Sequence, residues 1–140
     1  MGDEMTMRRS VDAIRKVIVR LPIPPGQITL FKALYEHPDG LSRNELARII
    51  RDGEEKSLTG VLGALGLRVN KTPGIGDSKP GLRLFLETDG TRDRLVYRLW
   101  PETREAIKMV PPLRKAMALT VDEIFDRFDS QDDSRWLRPL

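Results

Sequence analysis

The chain has 140 residues, of which 39% are hydrophobic and 32% charged, with no cysteine and a formal net charge of +3. That length suits one ordinary domain with a real core, and the composition is that of a soluble globular protein. A disulfide framework and thiolate chemistry are excluded, no run of about 18 apolar residues offers a membrane span, and MGDEMTMRRS lacks the apolar stretch of a secretory signal, so a cytoplasmic protein is expected.

The first helical pattern is SVDAIRKVIVRL, where Ile14, Val17, Ile18 and Leu21 recur at i, i+3, i+4 and i+7. Ser10 is its expected N-cap, and PIPPG at 22–26 stops it. This short helix needs a surface to lie on, either in the same chain or in a second copy. A second helix follows Gly26, with Ile28, Phe31, Leu34 and Tyr35 on one face and HPDG at its end. In GLSRNELARIIRDG, Ser42 and Glu45 have capping-box spacing, Leu41 and Leu46 have staple spacing, and Gly53 is placed to end the helix.

KSLTGVLGALGLRVNK, residues 56–71, contains three glycines, each costing a helix interior about 1 kcal/mol relative to alanine. Yet Leu58, Val61, Leu62, Leu65 and Val69 gather on one face at a period near 3.6, so a helix over 56–70 is expected. Lys56, Gly60 and Gly63 then lie opposite the core face, with Thr59, Gly66 and Asn70 on its flank. TPGIGDSKPG, 72–81, reads as a loop. LRLFLET and RLVYRLW, joined by DGTRD, read as a β-hairpin over 82–100. PETREAIKMV is expected to be a short helix, Pro111 and Pro112 break the chain, and LTVDEIFDRF forms a last helix with a Thr120/Glu123 capping box.

From Gly26 to Lys108, about three fifths of the chain, this order resembles the winged helix-turn-helix superfamily. The helices at 27–37, 42–51 and 56–70 resemble its first, second and recognition helices, and the hairpin at 82–100 resembles its wing. GLSRNELARII is the segment most similar to the phrase that precedes a recognition helix. The resemblance implies an α+β fold with a three-helix core, a β-hairpin wing and additional N- and C-terminal helices. The expected organisation is an N-terminal helical arm over 1–25, a winged-helix domain over 26–110, and a C-terminal helix with a flexible tail over 111–140.

The resemblance further implies binding to double-stranded DNA, as a transcriptional or other DNA-transaction regulator. Base reading would fall to Lys56, Ser57, Thr59 and Asn70 on the helix, because Lys favours guanine edges and Asn favours adenine. Gly60 and Gly63 would let phosphate or a partner approach the backbone, or else let this helix pack against the one at 11–21. Arg92, Arg94 and Arg98 on the hairpin suit phosphate contact, with Arg–Asp pairing through Asp89 or Asp93 as the alternative. Lys71 and Lys79 are placed to touch backbone from the loop.

No cofactor or metal site is expected. GIGDSKPG lacks the P-loop spacing and runs into a strand, and GVLGALG lies within a helix rather than between strand and helix. With one histidine, His37, at a helix end, catalysis has no constellation to rest on, so the chain does not read as an enzyme. The competing reading is a protein-interaction module that uses Gly60, Gly63 and Leu67, or the apolar side of the last helix with Phe125 and Phe128. Dimerisation through the terminal helices is a further expectation.

Overall fold

The computed structural model describes residues 10–20, 23–50, 55–76, 79–90 and 94–128, and excludes the side chains of 55–57 and 128. Helix α1, Val11–Arg20, begins where the Ser10 hydroxyl accepts from the Ala13 amide at 3.1 Å, the expected cap. Helix α2, Pro25–Tyr35, starts two residues earlier than expected. Proline lacks an N–H and has its φ fixed near the helical value, so it fits the first turn, where that donor has no helical partner. Ile28, Leu30, Phe31, Ala33 and Leu34 are all buried, which makes α2 the central rod of the core.

The chain then forms a two-residue strand, β1 (Leu41–Ser42), and helix α3 (Arg43–Ile49). Both arms of the capping box are made: the Glu45 amide donates to the Ser42 hydroxyl at 3.2 Å, and the Ser42 amide donates to the Glu45 carboxylate at 2.9 Å. The α3 helix ends at Ile49, and Gly53 lies outside the described residues. Helix α4, Glu55–Asn70, buries Leu58, Leu62, Leu65 and Val69 as its period requires.

The hairpin differs from expectation in its first half. Gly81–Leu84 is a 3-10 turn, and only Leu86–Asp89 is strand, β2. The turn breaks the two-residue alternation, so Leu84, Phe85 and Leu86 are buried consecutively. Phe85 meets Phe31 of α2 edge to face, with ring centroids 5.2 Å apart. Strand β3, Val96–Leu99, pairs antiparallel with β2 (Leu86 opposite Leu99) and with β1 (Leu41 opposite Tyr97). The sheet order is β1-β3-β2, and its β1 member was not apparent in the sequence. Gly40 permits this pairing: its φ is +94°, and a Cβ there would sit 2.8 Å from the Tyr97 carbonyl oxygen.

Helices α5 (Pro101–Lys108), α6 (Pro111–Ala116) and α7 (Val121–Phe128) complete the order. The prolines at 111 and 112 open α6 rather than interrupt the chain, for the same first-turn reason as Pro25. The Thr120/Glu123 box forms at 3.1 and 2.9 Å.

The described fold is therefore α+β, helices around a small antiparallel sheet, with one continuous core. The terminal helices belong to that core. Ile14, Val17 and Ile18 are fully buried, with α1 packed on α5; Ile124 is fully buried, with α7 packed on α2. The apolar face of α1, expected to need a surface in the same chain or in a second copy, is thus covered within the chain. No helix among the described residues is long and apolar enough to cross a membrane.

Candidate nucleic-acid interface

The side of α4 turned away from the core carries Thr59, Gly60, Gly63, Ala64 and Leu67, all exposed, with exposed Lys71 just beyond the last turn. Leu67 is 53% exposed. A Cβ built on Gly60 or Gly63 meets nothing within 4 Å, so neither glycine serves packing against α1 or any other described element. Gly66 is the glycine that faces a neighbour, with the Leu82 amide nitrogen 3.5 Å from its notional Cβ.

The expected contact residues divide into open and committed groups. Thr59, Lys71, Lys79 and Arg94 are exposed. Lys56 and Ser57 lie in the first turn of α4 with side chains outside the described residues, and Arg92 is outside them altogether. Asn70 is half-buried at the end of α4. Its side-chain oxygen accepts the Gly81 amide at 2.9 Å and closes the neck of the loop between α4 and β2. A buried or half-buried polar group gains more from a fixed partner inside the fold than from a solvent-facing position.

Arg98 is also committed. Its Nη1 lies 3.4 Å from the Glu87 carboxylate and 3.7 Å from that of Asp89. The cross-strand register sets Glu87 directly opposite Arg98, so β-pairing itself creates the ion pair. The arginine–acid alternative is the one realised at this position, whereas Arg94 is exposed.

Arg43 was not singled out by the sequence. It occupies the first position of α3, where a cation opposes the helix dipole, and that misfit was the available signal. Its backbone amide donates to the Leu95 carbonyl at 3.3 Å. Its guanidinium donates to the Tyr97 hydroxyl on β3 at 3.2 Å and to the Thr59 hydroxyl on α4 at 2.6 Å. One side chain thereby joins α3, the sheet and the open face of α4.

Arg68, by contrast, points inward. Burial, assisted by nearby Arg20, pulls its guanidinium pKa well down, to about 10, and Nη1 donates to the Val17 carbonyl at 3.4 Å. It ties α4 to α1 and is withdrawn from the surface charge. Comparison with protein-family models, curated proteins and solved structures found no match to this chain.

Proposed function

We propose that this chain is a winged helix-turn-helix protein that binds double-stranded DNA as a regulator of transcription or of another DNA transaction. In this reading α2, α3 and α4 are the three-helix core, α4 enters the groove, and β2–β3 is the wing. The element order α2-β1-α3-α4-β2-β3 and the sheet order β1-β3-β2 support it. The observation that carries the reading is the open face of α4, where Gly60 and Gly63 leave bare backbone bordered by Arg43 and Lys71. Two positions without side chains let phosphates come close, and the surrounding cations supply sequence-independent attraction. Arg94 adds a cation from the hairpin. Poor in long polar groups, α4 would read shape and thymine methyls more than base edges, through Ala64 and Leu67.

The second reading is a protein-interaction module that uses the same face, and the observation favouring it is the exposure of Leu67 beside Gly60 and Gly63. Anisotropy titration against random-sequence duplex DNA separates the two. Duplex binding that weakens steeply between about 50 and 200 mM salt supports the first reading. No binding at low salt rejects it in favour of a protein partner.

A further inference from the structure

We infer that Lys16 and Arg20 on α1, with the turn over 72–76 that follows α4, form a binding site for a phosphate group. The site uses none of the residues of the open α4 face, and its test does not depend on the duplex-binding reading. Lys16 and Arg20 stand at i and i+4, so both side chains leave the same side of α1. Lys16 reaches across to the turn: its Nζ lies 3.4 Å from where a Cβ on Gly74 would sit. Gly74 is exposed, with a φ of +81°, and bares backbone beside the ammonium. Arg20 is half-buried, and its Nε–H is buried with no hydrogen-bond partner among the described residues.

The cations that meet here share one sign with little to offset it. Beneath the pair, buried Arg68 donates to the carbonyl of Val17, the neighbour of Lys16, and its lowered pKa follows first from burial and then from the nearness of Arg20. Arg68 adds positive potential from below and need not touch the ligand. Arg20 and Arg68 repel each other, so an anion relieves the arrangement. The acid of α1, Asp12, faces Arg15 at 4.0 Å, and among the described residues no acid pairs with Lys16 or Arg20. Phosphate oxygens point in tetrahedral directions, so one group can meet the Arg20 guanidinium edge and the Lys16 ammonium at once, whereas a carboxylate offers a single planar edge.

The test is the thermal midpoint of the full chain in phosphate, acetate and chloride at equal ionic strength near pH 7. With phosphate about tenfold above its Kd, the midpoint should rise by about 4 °C more than in chloride, and acetate should fall short of that. Lys16→Gln and Arg20→Gln should each remove most of the excess, whereas Lys115→Gln, which deletes an exposed cation on α6, should keep it. Phosphate also stabilises folded chains in general by exclusion from their surfaces, so an excess that persists in both α1 variants overturns the inference. So does a wild-type midpoint no higher in phosphate than in chloride, an equal rise in acetate, or loss of the excess in Lys115→Gln, which would make net charge the cause. Since Lys16 is exposed, its variant reports even if Arg20→Gln fails to fold. Duplex titrations of the same variants identify the source of the phosphate. A salt slope lower by about one in Lys16→Gln, with inorganic phosphate competing in the wild type, assigns the site to the DNA backbone. Unchanged duplex binding with the phosphate excess lost assigns it to a free phosphorylated ligand. Failure of the wild type to bind duplex rejects the function proposed above and leaves the phosphate readout standing.

Discussion

The Arg104 guanidinium carbon lies 5.1 Å from the ring centroid of Tyr35, and its Nη1 donates to the Tyr35 carbonyl at 3.0 Å. Nη2 donates to the Leu34 carbonyl at 2.9 Å. These carbonyls belong to the last turn of α2, where the regular helical ladder runs out, and that of Leu34 also accepts the His37 amide at 3.3 Å. A cation from α5 thus satisfies them and complements the negative end of the helix dipole. Arg104→Ala is expected to cost about 2 kcal/mol, with Arg104→Lys recovering only part of it, as read from urea unfolding midpoints.

Gly60→Ala and Gly63→Ala should each stabilise the protein by about 1 kcal/mol, since both sites are helical and the added methyl meets open space. The same substitutions should weaken duplex binding, because they roughen the face that phosphates approach. Unfolding curves and anisotropy titrations on the same variants check both signs. A stabilised variant with undiminished binding would place the DNA elsewhere. Gly40→Ala should do the reverse, costing about 3 kcal/mol by straining a φ of +94° and pressing on the Tyr97 carbonyl beneath β1.

The two described hairpin arginines should separate in function. Arg94→Ala should reduce affinity for all duplex sequences and lower the salt slope by about one, as expected of a phosphate contact. Arg98→Ala should have a smaller effect on binding, because its guanidinium already faces Glu87 and Asp89, and should change stability by less than about 1 kcal/mol. Titrations at matched salt decide between them.

Glu45 and Glu123 define an acid limb of stability. Hydrogen bonds from the Ser42 backbone amide and then its hydroxyl hold the Glu45 carboxyl below its ordinary value of 4.5. The Thr120 backbone amide and hydroxyl do the same for Glu123. Each folded-state pKa is depressed, so the unfolded chain binds more protons between the two values. The contribution is complete above the unfolded pKa and is lost as pH falls through the folded one. The Glu45→Gln/Glu123→Gln variant keeps acceptors in both boxes but removes their titration. Its thermal midpoint should fall less steeply than that of the wild type as pH drops below about 4.5.

What was legible in the sequence was whatever local chemistry dictates. Ser10, the Ser42/Glu45 pair and the Thr120/Glu123 pair cap helices where spacing placed them, and the apolar period of α4 outweighed its glycines. What was hidden depends on distant partners. Strand β1 is two residues long and exists only because β3 lies beside it. The commitments of Asn70 to Gly81 and of Arg98 to Glu87 link residues 11 apart, and the bridge from Arg43 to Tyr97 spans 54. Neither composition nor periodicity carries that information. The candidate site on α4 and the hairpin was legible only as a stretch of chain, while the partners of Asn70, Arg98 and Arg43 within it are set by tertiary neighbours.

The burial of Ile14, Val17 and Ile18 against α5, and of Ile124 against α2, bears on where the functional unit can be cut. A fragment trimmed to residues 26–110 would lose both clasps and lay bare the far sides of the two helices that carry the sheet. Its failure to bind a ligand would report lost integrity rather than lost contacts. Helices α1 and α7 are not appendages that can be removed to simplify an experiment; they set the smallest piece on which any binding measurement has meaning.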